Sequence, residues 1–274
     1  MQRILTLVLY FIILASNCFA QDMPERIVSL GPHLTEQIYL LGAQDKLVGV
    51  TSYCTKPKDA QSKEIVGSVV EANIEKILFL NPDVVLMIPL TDLKAKRRLE
   101  SLGIKVVEFP QVADFPQICA QTLALGKLVG KEEQAQAIVS AAKAQVVKIQ
   151  KEVSGKPHKV FIQVGANPLF TMNKDFFIHD LVERAGGINI GENASGGIFS
   201  REKVVEENPD LIIITTMGII GKDEKQEWEK FKIINAVKNN KIFIMDSDLV
   251  CSPTPDNFVR ALKEIVLFMH GEQV

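Results

Sequence analysis

One sequence segment occurs twice in this chain. The copies run from Glu75 to Asp83 and from Glu202 to Asp210, and both begin with Glu-Lys and end with Asn-Pro-Asp at the same spacing. Each is followed by an apolar run typical of a buried strand. A repeat with so long a period indicates two similar lobes, because solenoid units recur every 20–50 residues or so. Two lobes leave a cleft between them, where a ligand would bind.

Strand-like and helix-like segments alternate through both halves and end at Gly or Pro, which predicts an α/β fold with two Rossmann-like lobes, each a parallel sheet covered by helices. Between the copies, an Ala-rich helix is predicted over residues 132–153. At ~1.5 Å per residue it would span about 30 Å and join the lobes rigidly. We therefore predict an N-terminal lobe at 21–130, one long linking helix at 131–155 and a C-terminal lobe at 156–274, with the ligand cleft between the lobes.

The first twenty residues differ from the rest. Arg3 precedes a short apolar run, and a small polar segment leads to Ala20. This pattern predicts a signal peptide at residues 1–20 and a periplasmic protein; the run is shorter than the ~20 residues of a spanning helix. The alternative is a lipoprotein anchored through Cys18, but Asn17 stands where such sites usually have a small residue.

Charge and cysteine content narrow the function. The net charge is −2 with no basic stripe, so no nucleic-acid partner is expected. Without the signal peptide, Cys54, Cys119 and Cys251 remain, which allows at most one internal disulfide. Cys119 lies in an apolar helical stretch and is predicted to be core. Cys54 and Cys251 fall in loops of opposite halves, where they either pair across the cleft or line it.

In open α/β sheets, ligands bind beyond the carboxyl ends of the strands. The loops at these positions contain few charges and several apolar or aromatic residues, which favours a large, partly apolar ligand over a metal ion or a sugar. The alternative for the aromatic residues is local packing. The residues selected in this way are Pro32, His33, Tyr53, Cys54 and Pro89 in the first lobe, and Asn167, Phe170, Met217, Asp248 and Cys251 in the second.

The chain shows no catalytic signature. It has no nucleophile elbow, no phosphate-binding Gly-rich loop and no His-Glu-x-x-His segment, and none of its four histidines is spaced as a metal pair. We predict that it is not an enzyme and has no metal site. His33 is either a ligand contact or a cap of its own helix. The enzymatic alternative has Cys54 or Cys251 as nucleophile with His33 as base.

The repeated glutamates require a separate explanation. Glu75 and Glu202 each lie near the start of a predicted helix, where a carboxylate interacts favourably with the helix dipole. That role explains each glutamate singly but not their identical offset in both lobes. A symmetric pair of acids is what docking onto a two-fold symmetric partner would require.

These features together resemble the periplasmic substrate-binding proteins of ABC importers for cobalamin, siderophores and haem, and most closely the cobalamin binders. The resemblance covers essentially all of the chain after the signal peptide. The segments that carry it are residues 29–36, 49–54, 73–77, 163–171, 185–189 and 200–202.

The resemblance implies a protein, expected to be a monomer, that delivers cobalamin or a related corrinoid to an ABC permease dimer with its ATPase subunits. The corrinoid would be transported cargo, with no resident cofactor. Glu75 and Glu202 would pair with permease arginines, and Tyr53, Phe170 and Asp248 would touch the ligand.

The chain departs from the cobalamin binders at several positions. Val69 and Gly196 stand where those proteins can place tryptophans, Trp228 is predicted in an outer helix, and Ala185 replaces a cysteine of some members. A haem or ferric-siderophore ligand is the alternative, and haem would need His33 or Tyr53 as axial ligand.

Overall fold

The structure is a computed structural model that describes residues 23–215 and 221–271. The predicted signal peptide with Cys18, and Met217, lie outside these residues. The N-terminal lobe has a five-stranded sheet in which all neighbouring strands are parallel, as predicted. The strand order is β3-β2-β1-β4-β5, with β1 Ile27–Ser29, β2 Leu47–Val50, β3 Glu64–Ile65, β4 Val84–Met87 and β5 Lys105–Glu108.

Three helices cover this sheet: α1 Pro32–Leu40, α2 Ile74–Phe79 and α3 Leu93–Ser101. α1 begins at Pro32, because proline has a helical φ and its missing N–H is not needed in a first turn. His33 is therefore part of the helix. Thr35 is buried inside α1, where its hydroxyl donates to Ser29 Oγ at 2.9 Å.

The C-terminal lobe has a second five-stranded sheet, ordered β10-β9-β6-β7 with β8 beside β6. Its strands are β6 His158–Gly165, β7 Phe170–Thr171, β8 Gly187–Asn189, β9 Leu211–Thr215 and β10 Ile242–Met245. The prediction of parallel pairing holds except at β7, which runs antiparallel to β6. The turn between β6 and β7 makes a short hairpin at the carboxyl end of β6.

The helices of this lobe are α6 Phe177–Arg184, α7 Arg201–Glu207, α8 Gly221–Glu229, α9 Asn235–Lys238, α10 Ser247–Cys251 and α11 Pro255–His270. α8 and α9 are two separate helices, although they are only five residues apart. The break occurs because Ile234 takes an extended conformation at the start of α9 and is fully buried in the lobe core.

Two helices, α4 Phe115–Val129 and α5 Glu132–Glu152, connect the lobes. Ala135 of α5 packs in the N-terminal core, and Val146 of α5 packs in the C-terminal core. α4 also packs in both cores: Cys119 lies in the C-terminal core and Leu125 lies in the N-terminal core. The connection is therefore a helical hairpin that turns at Gly130. The predicted lobe boundary at residue 130 placed all of α4 in the N-terminal lobe, whereas α4 packs in both cores. The prediction that Cys119 is core is confirmed.

The asparagines of the repeat end their helices in the same way. Asn81 follows α2 with φ 44°, and Asn208 follows α7 with φ 50°. Asparagine tolerates this left-handed conformation better than most residues. The proline that follows cannot continue a helix.

The aspartates of the repeat fasten the following strand to the sheet. Asp83 Oδ2 accepts from the backbone N–H of Arg26 at 2.8 Å, and Asp210 Oδ2 accepts from that of Lys159 at 3.0 Å. Arg26 immediately precedes β1 and Lys159 is the second residue of β6, so both lie at the start of the first strand of their lobe. In both lobes the repeat therefore ends a helix at its asparagine and uses its aspartate to hydrogen-bond the backbone of the neighbouring strand segment.

Candidate functional site

The carboxyl edge of the N-terminal sheet carries exposed apolar side chains. Tyr53, after β2, is 62% exposed. Val70 follows β3, Leu90 follows β4, and both are more than half exposed. Their loops meet, because Asp92 N donates to Val70 O at 3.1 Å. The sequence predicted Tyr53 at this edge but not Val70 or Leu90. Val70 follows β3, which has only two residues and was not predicted, and after β4 the strand-end rule selected Pro89 instead of its neighbour Leu90.

The carboxyl edge of the C-terminal sheet is shaped by the β6–β7 hairpin. Asn167 is exposed in its turn, and Phe170 is half-buried on β7 opposite Gly165. Phe170 also pairs with Ile198, which is 60% exposed and was not predicted. Gly197 lies under the Phe170 ring so closely that a methyl group there would overlap it.

An ion pair joins the strand-end loops of the two lobes. Lys56 Nζ, in the loop after β2, lies 2.8 Å from Asp248 Oδ2 on α10. The carboxylate raises the pKa of Lys56. Because both side chains are about half exposed, we expect the pair to contribute at most about 1 kcal/mol. Asp248 thus contacts the opposite lobe through the loop that also carries Tyr53.

A second polar contact between the lobes lies at α1. Glu36 accepts hydrogen bonds from Ser252 Oγ and from Asn257 Nδ2, the latter at 2.9 Å. Beside it, Gln37 Nε2 donates to Pro253 O at 3.3 Å. Burial raises the pKa of Glu36, although the two hydrogen bonds act against this shift. The carboxylate is therefore held between the lobes at a desolvation cost that its partners offset in part.

His33 is half-buried in the first turn of α1. Burial lowers its pKa to about 4, and the neighbouring Gln121 side chain acts weakly in the opposite direction. The imidazole is therefore neutral at pH 7, a state in which it is able to accept a hydrogen bond or coordinate a metal. The alternative role as a helix cap is wrong, because α1 begins at Pro32 with no side-chain cap hydrogen bond. Pro32 itself is half-buried.

Cys54 is a core residue, so its prediction as a cleft residue is wrong. It is 2% exposed, and its Sγ lies 3.2 Å from the hydroxyls of Thr35 and Thr51. Both Cys54 and Cys251 are free thiols in the described part of the chain, so the disulfide alternative is also wrong. The reason is that the short turn after β2 directs Cys54 into the core of its own lobe.

Cys251 is exposed at the end of α10. Protein atoms around the thiol desolvate it, and Asp248 and Asp246 repel the thiolate, so its pKa rises to about 11. A thiol with that pKa is protonated at neutral pH. This disfavours Cys251 as a nucleophile.

Trp228, predicted in an outer helix, is fully buried. Its Nε1 donates to Gln163 Oε1 at 2.6 Å, and the Arg201 guanidinium lies 4.6 Å from the ring centroid. Arg201 in turn pairs with Glu224 at 2.7 Å. The tryptophan therefore holds α7 and α8 together and does not face a ligand.

Glu75 and Glu202 occupy matching places in the first turns of α2 and α7. Both are exposed, and neither forms a salt bridge within residues 23–215 and 221–271. Hydrogen bonds from its own backbone N–H and from Ser200 lower the pKa of Glu202. Both carboxylates remain available to a partner.

Other candidate features lie elsewhere. A concavity of about 690 Å³ is lined by residues 39–42 and 130–134, at the opposite end of α1 from His33. Among the residues that the structure describes, no group of three or more His, Cys, Asp or Glu side chains could hold a metal ion. No helix within the same residues is long and apolar enough to cross a membrane.

Two α/β lobes, a helical hairpin between them and apolar side chains at the strand ends define a two-lobed ligand-binding protein. Residues 27–249 match the model of the family described as "Periplasmic binding protein". The chain belongs to this family of substrate-binding proteins.

Similar proteins agree with this assignment. An uncharacterized ABC transporter substrate-binding lipoprotein of Bacillus subtilis (strain 168) is 34% identical over 245 residues, covering 85% of this chain and 76% of the relative. The crystal structure of the periplasmic vitamin B12 binding protein of Vibrio cholerae has a TM-score of 0.79 and 26% identity, covering 90% of this chain and 97% of that one.

The periplasmic heme-binding protein of Roseiflexus sp. RS-1 in apo form has a TM-score of 0.80 at 19% identity, covering 91% and 99% of the two chains; this likeness shows the fold alone. From the family and the first relative, the chain is the substrate-binding component of an ABC transporter, which works with permease and ATPase components.

Proposed function

We propose that the chain is exported and captures cobalamin or a related corrinoid in the cleft. The observation that carries the proposal is the pair of apolar edges at the strand ends. The N-terminal lobe contributes Tyr53, Val70 and Leu90, and the C-terminal lobe contributes Phe170 and Ile198.

A corrin ring is a large macrocycle with apolar faces and polar amide groups at its rim. Burying the aromatic and aliphatic side chains against those faces would supply most of the binding free energy, at about 25 cal/mol per Å². The nearby charged groups Lys56 and Asp248 already pair with each other. Little positive charge is therefore left to bind the multiple negative charges of a siderophore. The vitamin B12 binding relative supports the same ligand class.

Titration of the purified protein with cobalamin, cobinamide, haem and a ferric siderophore tests the proposal. We expect the corrinoids to bind most tightly and Tyr53→Ala to weaken them. Phe79→Ala is the matched control, because Phe79 is an exposed aromatic residue on α2, outside the strand-end loops. A corrinoid Kd weaker than ~10 μM, about 7 kcal/mol, would refute the assignment.

Haem is the second candidate, and His33 is the observation in its favour. The imidazole is half-buried at the carboxyl end of β1 and neutral at pH 7, which suits an axial ligand. If haem binds with a Soret shift that His33→Ala abolishes, haem displaces the corrinoid as the proposed ligand.

We also propose that Glu75 and Glu202 dock the monomeric protein onto basic groups of the two permease subunits. The proposal is supported by the exposure of both carboxylates and by their equivalent positions in the two lobes. A partner with two-fold symmetry presents the same basic group twice.

A further inference from the structure

Phe79 is the most exposed large apolar residue of the described chain. It is the last residue of α2 and is 89% exposed, and its neighbour Leu78 is 39% exposed. Ile77 of the same helix is fully buried and anchors α2 in the core of the N-terminal lobe. A phenylalanine ring left almost wholly in water contributes little to this fold.

The exposed ring shares a helix face with one of the repeated glutamates. Leu78 and Phe79 follow Glu75 by three and four positions, and residues at these spacings are neighbours on a helix surface, with about 5–6 Å between Cβ atoms. A partner group that binds the Glu75 carboxylate would therefore lie next to the Phe79 ring.

The second copy of the repeat carries different residues at the same places. Val205 corresponds to Leu78 and is partly buried, and Glu206 corresponds to Phe79 and is exposed. The N-terminal docking face thus combines a carboxylate with an exposed ring, whereas the C-terminal face has a second carboxylate, Glu206, in place of that ring.

We propose that Phe79 inserts into an apolar recess of the permease, beside the basic group that binds Glu75. This inference rests on the proposed docking role of Glu75 and Glu202. The contact at the N-terminal lobe would then have an apolar anchor, and the contact at the C-terminal lobe, with Glu202 and Glu206, would be electrostatic and more sensitive to salt.

The chemistry of the surface favours the permease over other occupants. A lipid surface calls for basic residues around the apolar group, and here Lys76 is already paired with Glu64 at 2.8 Å while Glu75 is acidic. A second copy of this face would bring two Glu75 carboxylates together. The apolar patch is continuous with the docking carboxylate, so one partner would cover both.

The test uses the protein with its cognate permease and ATPase subunits in nanodiscs. Binding of wild type, Phe79→Ala, Glu75→Ala, Glu202→Ala and Leu267→Ala is measured by biolayer interferometry at low and high salt. Leu267 is the matched control, an exposed apolar residue on α11 in the other lobe. We expect Phe79→Ala to weaken binding at least about ten-fold, 1.4 kcal/mol, at both salt concentrations. Leu267→Ala should bind like wild type.

The outcomes separate this inference from the docking proposal. If Phe79→Ala binds like wild type while Glu75→Ala and Glu202→Ala weaken binding, the apolar anchor is wrong and the docking proposal stands. If none of the three weakens binding, the docking proposal is wrong as well. If Phe79→Ala instead abolishes self-association in sedimentation, or binding to anionic vesicles, the occupant is a second copy or a lipid surface and the inference fails.

Discussion

Replacing Gly197 by alanine should affect both stability and ligand binding, because the glycine supports Phe170. Gly197 has φ +75°, and an added methyl group would overlap the Phe170 ring and approach Thr171 O to 2.8 Å. Gly103, after α3, is a matched control. Its φ is +80°, but no described atom lies within 4 Å of the place where its Cβ would be.

The two substitutions share one cost and differ in the other. A residue with a Cβ in the left-handed region costs about 1–2 kcal/mol at either site. Overpacking adds about 1–3 kcal/mol at Gly197 only. We therefore expect Gly103→Ala to lower the free energy of unfolding by about 1–2 kcal/mol and Gly197→Ala by about 2–5 kcal/mol. Because domains typically unfold with a free energy of about 5–15 kcal/mol, Gly103→Ala should stay folded, and Gly197→Ala should stay folded wherever the wild-type stability exceeds the loss.

Ligand affinity then tests whether Phe170 belongs to the site. Relief of the overlap at Gly197 must move the Phe170 ring, so Gly197→Ala should weaken corrinoid binding and Gly103→Ala should not. Urea unfolding gives the stabilities, and titration with cobalamin or cobinamide gives the affinities. Equal stability losses in the two variants would refute the packing argument. An unchanged affinity for Gly197→Ala with the larger stability loss would remove Phe170 from the site.

Two further predictions concern charged groups. The double variant Glu75→Ala, Glu202→Ala should keep its ligand affinity but lose transport in a reconstituted importer; a loss of ligand affinity would contradict the docking role. Glu36→Gln should remove a pH dependence of stability. Because the folded-state pKa of Glu36 is raised above its ordinary 4.5, its contribution is fully present below about pH 4.5 and is lost as pH rises through the folded pKa. Urea unfolding between about pH 4 and pH 8 should therefore show wild type losing stability relative to Glu36→Gln as pH rises, and a relative gain would contradict the burial argument.

The sequence predicted the two-lobed α/β fold because the signal is local. The Asn-Pro-Asp segments stop a helix and start a buried strand through Asn81 and Asp83, and the same chemistry recurs 127 positions later at Asn208 and Asp210 (208 − 81 = 127). Hydrophobic runs and Gly or Pro breaks gave most of the parallel strands. Short or irregular elements such as β3 and β7 carry too few residues to show a period.

Side-chain direction at the site was harder to predict. Tyr53 and Cys54 are adjacent in the same turn, yet one is 62% exposed and the other is buried between two threonine hydroxyls. The rule of strand ends selects a loop but does not say which of its residues points outward. The same limit applies to Trp228, whose burial depends on Gln163, distant in sequence.

The sequence by itself therefore determined the two lobes, the repeated carboxylates and the family, since each is recognised from short segments of neighbouring residues, even where those segments lie far apart in the chain. Only the tertiary structure decided which side chains are exposed at the strand ends, how Lys56 and Glu36 reach the opposite lobe, and that Phe79 is exposed on the helix that carries Glu75. The physical reason is that burial and pairing depend on groups that the fold brings together from distant parts of the chain, as it does Glu36 and Asn257.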